Sequence, residues 1–127
     1  SNNAITAIGE NMRGINKIIL AGCLGNDPEM AMSQGGKAYA KLSLATHNRF
    51  RDGEGNFTDF TEWHRVTVWG KKADICKNYL TKGSPVVIEG YVSSFKSKTD
   101  PMVLHTRIIA EELHLIAPRP KAQVELP

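Results

Sequence analysis

Cysteine is nearly absent from this 127-residue chain: Cys23 and Cys76 stand far apart, form no CxxC and supply no disulfide framework. A fold held by covalent staples is therefore not expected. A reducing cytoplasm is the default compartment, and both thiols are expected to sit as small buried hydrophobes. Long apolar runs are missing too. The longest fall far short of the roughly 20 residues that a membrane-spanning helix needs, and no secretory apolar region opens the chain. The histidines, His47, His64, His105 and His114, have no metal-ligand spacing with each other or with the cysteines. Neither GxGxxG nor GxxxxGK(S/T) occurs, so the loops that cradle nucleotide phosphates are lacking. Glu111 and Glu112 are adjacent, and neighbours on a strand diverge, so they read as solvated surface and not as an acid–base pair. These gaps argue against an enzyme, and no cofactor or metal is expected.

What is present suits one domain, large enough to bury a core. Sixteen Lys and Arg stand against 13 Asp and Glu, a net charge of +3. The basic residues are spread over predicted strands and loops and do not gather in a tail. A folded basic surface attracts polyanions, although scattered lysines also occur on any solvated surface. The most informative segment is Thr61–Trp69. Its period of 2 places Trp63, Arg65, Thr67 and Trp69 on one face and Glu62, His64, Val66 and Val68 on the other. Two valines supply an inward face. Two indoles beside a guanidinium make a flat cationic platform of the kind on which unpaired bases stack. The competing reading is that both indoles pack in a core or across strands, as aromatics in sheets commonly do. His64 reads as a hydrogen-bonded structural histidine.

Along the chain, Ile15–Leu24 reads as a strand that ends at the turn residues Gly25-Asn26-Asp27-Pro28. Lys37–Thr46 alternates, with Ala38, Ala40, Leu42 and Leu44 on one face and Tyr39, Lys41 and Ser43 on the other. Asn48–Asp59 is a polar loop closing a long hairpin whose stem carries Phe50 and Phe57. After the Trp63 strand, Lys71–Leu80 switches to helical period, with Ala73, Cys76, Tyr79 and Leu80 on one stripe and Gly83 as the stop. Pro85–Tyr91, extending towards Lys96, and Met102–Ile116 give two further strands. Three strands, one helix and two strands predict an all-β fold: a five-stranded Greek-key OB-fold barrel with the helix between strands three and four. Residues 1–11 look like an expression scar ahead of Met12, residues 12–117 form the domain, and residues 118–127 form a short Pro-containing tail.

Several segments in register carry a resemblance. They are Arg13-Gly14-Ile15-Asn16-Lys17-Ile18-Ile19-Leu20, Leu24-Gly25-Asn26-Asp27-Pro28-Glu29, Ser43-Leu44-Ala45-Thr46, Thr61-Glu62-Trp63-His64-Arg65-Val66, Gly70-Lys71, Tyr79-Leu80, Lys82-Gly83 and Ile88-Glu89-Gly90. Together they resemble the bacterial single-stranded DNA-binding protein family over Met12 to about Ile116. The resemblance implies sequence-independent binding and protection of single strands in replication, recombination and repair, by a cytoplasmic, nucleoid-associated homotetramer. It places stacking aromatics at Phe50, Trp63 and Trp69, and basic contacts at Arg13, Lys17, Arg65, Lys71 and Lys82, with Lys41 added from strand two. The family's fourth aromatic falls near Ser97, where no ring is present. Phe95, one strand period away, is the expected substitute. Family members also carry a Gly/Pro/Gln-rich linker and an acidic tip that recruits replication and repair enzymes. Pro118–Pro127 does not match these, so tail-recruited partners are not part of the expectation. Met102-Val103-Leu104-His105 resembles instead a segment of the primosomal replication protein N family, dimeric OB-fold proteins of replication restart. An RNA-binding OB or cold-shock module is a third reading, without a visible RNP-like aromatic cluster.

Overall fold

Two long alternating segments set the architecture. In the computed structural model, which describes residues 12–116, β3 (Ala38–Arg51) and β4 (Phe57–Trp69) form an unbroken antiparallel ladder from Tyr39↔Trp69 to Arg51↔Phe57. Around it lie β1 (Ile18–Leu24), β2 (Glu29–Met32), β5 (Pro85–Lys96) and β6 (Leu104–Leu115), with one helix among the described residues, α1 (Lys71–Tyr79), between β4 and β5. The strand order is β1-β5-β6-β4-β3-β2. A further pairing of β1 with β3, through Cys23↔Ala45 and Leu24↔Leu44, closes five of the strands into a barrel. β2 hangs on the outer edge of β3. Neighbouring strands are antiparallel except β4 and β6, which run parallel through Val66↔Ile108 and Thr67↔Ile109. The closure between β1 and β3 is tight. A Cβ on Gly22 would strike the Ala45 carbonyl, so glycine is needed there to let two backbones approach.

The inward face of each of the five barrel strands is apolar, as the period-2 pattern requires. Leu20 and Leu24, Ala40, Leu42 and Leu44, Val66 and Val68, Val86 and Ile88, and Ile108 and Ala110 form one buried cluster. α1 adds Ala73 and Cys76 to it, and Leu80, just past the helix, completes that side. Burial pushes the Cys76 thiol up to about 11, so it stays protonated at neutral pH and behaves as a hydrophobe.

The five-stranded barrel and its helix agree with the expected fold. The helix, however, follows the fourth strand and not the third, because Glu29–Met32 forms an extra short strand. Glu-Met-Ala-Met has no β-branched residue and no strong alternation; only backbone pairing with Ala38–Lys41 makes it a strand. Most of the expected polar loop at 48–59 is ladder as well, leaving a turn at Asp52–Asn56 whose backbone amides at Glu54 and Asn56 donate to Asp52 Oδ1. α1 ends at Tyr79 rather than at Gly83, which lies in the turn into β5. Tyr79, placed on the buried stripe by the sequence, is exposed. Cys23, expected to be buried, is also exposed, because β1 turns Leu20 and Leu24 inward and the alternate positions outward. The leading segment 1–11 and the tail 118–127 lie outside the described residues.

Candidate nucleic-acid interface

The odd-numbered face of the β3–β4 ladder, continued across β6 and β5, forms the candidate site. Direct cross-strand pairs Tyr39↔Trp69, Lys41↔Thr67, Ser43↔Arg65 and Ala45↔Trp63 place these side chains on one surface. On β5 and β6, Ser93↔Arg107 and Phe95↔His105 do the same. A groove results, lined among others by Tyr39, Lys41, Arg65, Phe95, Lys98 and Arg107. Thr67 forms part of its floor and is 6% exposed, which explains how an outward-facing threonine can be buried. Asp27 and Glu29 line the groove as well and are its acidic members.

β4 and β6 are bonded at only two positions and then diverge. A second cleft opens there, lined by Trp63, Arg65, His105 and Arg107 among others. The two clefts share Arg65 and Arg107. Trp63 is 57% exposed, so the dry-interior reading of this indole does not hold. Its ring lies against Gly25, where a Cβ would collide with the six-membered ring. Gly25→Ala should therefore swing the indole away, shift its fluorescence and weaken oligo-dT binding several-fold, with little loss of stability. An unchanged emission spectrum and affinity would count against this packing.

Trp69 is half-buried and packs on Tyr39, with ring centroids 4.6 Å apart. Lys37 Nζ lies 5.5 Å from the Trp69 ring and Lys41 Nζ 6.0 Å from that of Tyr39, within cation–π range. Lys41, Arg65 and Phe95 therefore meet in the groove, and Trp69 joins them through Tyr39. His64 alternates to the other side of β4 from Trp63 and Arg65, where it still borders the cleft between β4 and β6. Its Nε2 lies 2.9 Å from Thr46 Oγ1, in keeping with a structural role.

The other expected residues are not brought together here. Phe50 pairs with Thr58, so it occupies the opposite face of the β3–β4 ribbon from Trp63 and meets Phe60 at 6.1 Å. Arg49, Arg51 and Phe57 are among the residues that share the face of Trp63 on that arm, with both guanidiniums within 5.5 Å of the Phe57 ring. Arg49 is also bound to Asp59 at 2.9 Å. Lys17 pairs with Glu89 at 3.5 Å, outside both clefts. The hydrogen bond from His114, with Lys17 beside it, holds the Glu89 carboxyl below its ordinary value. Arg13 precedes β1, Lys71 opens α1 and Lys82 lies between α1 and β5. All three are exposed, and none lines either cleft.

Tyr39 and Arg107 are groove residues that sequence reasoning did not select. The signal for Tyr39 was its place on the same alternating face as Lys41. Arg107 could be found only from the register of β6 against β5 and β4.

The comparisons with known proteins point to one family. The model of the single-strand binding protein family matches residues 15–116. The chain is 41% identical over 107 residues to single-stranded DNA-binding protein 1 of Chlorobaculum tepidum, covering 82% of this chain and 66% of that protein. It is 42% identical over 109 residues to the single-stranded DNA-binding protein of Xylella fastidiosa, covering 84% and 66%. The chain thus spans just under two thirds of the length of these curated relatives. Among solved structures, a Plasmodium falciparum SSB complex with single-stranded DNA is similar at a TM-score of 0.75 and 31% identity, covering 84% of this chain and 98% of that one. The wild-type single-stranded DNA-binding protein from Thermus aquaticus gives a TM-score of 0.71 at 28% identity, covering 83% and 52%. With the barrel, the exposed indole and a family match over nearly all of the described residues, the chain belongs to the single-strand binding protein family.

Proposed function

We propose that this chain binds single-stranded DNA without regard to sequence and protects it during replication, recombination and repair. The observation that carries the reading is the exposed Trp63 beside a cleft and groove in which Arg65, Arg107 and Lys41 line a path between aromatic rings. Every base has a π-face, so ring stacking tolerates any sequence and contributes about 1–3 kcal/mol per base. Lysine and arginine displace counterions from phosphates, so affinity falls as salt rises. Duplex DNA hides its base faces and binds far more weakly. The stacking set is Trp63, Trp69 and Phe95, with Phe50 acting from the other face of the arm. Arg65 and Lys41 take phosphates in the groove, and Arg13, Lys17, Lys71 and Lys82 lie on more distant surface. The chain works in the cytoplasm, on the nucleoid. No helix among the described residues is long and apolar enough to cross a membrane.

One OB barrel covers only about 4–16 nucleotides, so wrapping a longer strand calls for several. A homotetramer supplies them. The test is a titration with oligo-dT that follows tryptophan emission, combined with mass in solution with and without a long strand. Quenching by oligo-dT, little response to duplex and a tetrameric mass are expected. A chain that does not respond to single strands is not a single-strand binder. A dimeric mass would favour the primosomal replication protein N-like reading.

A further inference from the structure

Arg107 is a groove cation that neither the family pattern nor the strand motif selected. It stands one position before Ile108, as Arg65 stands one position before Val66, and those two residues are paired between parallel strands. The guanidiniums therefore flank the same point of the β4–β6 seam. Neither forms a salt bridge among the described residues, although other surface cations of the chain do. Arg107 Nε is buried and has no hydrogen-bond partner. A buried donor without a partner is costly, and two neighbouring like charges repel; an anion relieves both. The Arg107 guanidinium also lies 4.8 Å from the centre of the Phe95 ring, and the His105 ring lies 5.5 Å from it on the other strand of the hairpin. The ring thus has a cation against it and a fixed position on the groove wall.

Resting on the single-strand reading above, we infer that Arg107 and Arg65 form a phosphodiester-binding site at the divide between the two clefts, and that Arg107 and Phe95 act as one unit there. The strand stacks on Trp63 in one cleft, places a phosphate on the two guanidiniums, and stacks its next base on Phe95 in the groove. Arg107 both receives the backbone and positions the ring that stands in for the missing aromatic at Ser97. A planar guanidinium suits this double role, since it can hold a phosphate bidentately while lying on an aromatic face.

The test uses oligo-dT affinity at a series of salt concentrations for the unaltered chain, Arg107→Gln, Arg107→Lys, Phe95→Ala and the Arg107→Gln/Phe95→Ala pair, with thermal melting to confirm each fold. Arg107→Gln should lose roughly tenfold in affinity at low salt and flatten the log–log salt slope by about 0.7, the value of one phosphate contact on a single strand. Arg107→Lys should keep the slope but lose affinity, because it keeps the charge without the planar face. Phe95→Ala should lower affinity with no change of slope, and the double variant should cost less than the two single losses combined. An Arg107→Gln chain that melts normally and binds with unaltered affinity and slope overturns the site alone. Strict additivity in the double variant overturns the coupled unit. Failure of the unaltered chain to bind oligo-dT overturns both this site and the function it rests on.

Discussion

Replacing Trp63 with alanine should lower affinity for oligo-dT by roughly 5- to 150-fold, the equivalent of the 1–3 kcal/mol that one stacked base contributes. Trp63 is more than half exposed, and its ring lies against Gly25. Its removal should therefore cost less than about 1 kcal/mol of stability, in line with surface substitutions. Much of the fluorescence quenching should disappear with it, because Trp69 is half-buried against Tyr39 and less available to a base. The salt slope should stay as it was, since no charge is lost. This separates Trp63 from Arg107, whose loss should change the slope. Unchanged affinity with intact melting would remove the main physical support for stacking at this cleft.

Leu44→Ala should have the opposite profile, with a large loss of stability and little effect on binding by the folded protein. Leu44 is fully buried and is the point where three strands meet, paired to Leu24 on β1 and to His64 on β4. Truncation leaves a cavity at the seam where the barrel closes, and such changes cost about 2–5 kcal/mol. Denaturant titration at fixed protein concentration should show the midpoint falling with an unchanged slope. Leu44 faces away from the groove, so affinity measured well below the transition should be close to that of the unaltered chain. A loss under about 1 kcal/mol, well below the range for such truncations, would mean that this seam is not close-packed.

The strand of Trp63 shows how much of the site could be read early. Alternation alone separated Trp63 and Arg65 from Val66 and Val68, and the same rule placed Tyr39 with Lys41. The barrel could be inferred from one helix among alternating segments. Phe50 shows the limit. The family resemblance places it among the stacking rings, and the ladder register puts it on the face of its ribbon opposite Trp63. For Cys23, residue type suggests burial, but strand parity turns the side chain outward. β2 was missed because its pairing with β3, and not its composition, makes it a strand.

The order of residues by itself determined which side chains share a face within each strand, because that follows from a period of two along one backbone. It also determined where the helix lies and that the outward faces carry cations among rings. Only the tertiary structure decided which faces meet. The parallel seam of β4 and β6 sets Arg107 beside Arg65, and the turn of β5 against β6 sets Phe95 beside Arg107. Arg65 and Arg107 are 42 residues apart in the chain, and Phe95 and Arg107 are 12 apart on successive strands. Their meeting depends on barrel closure and register, which are set by packing of the whole interior and cannot be read from a local pattern.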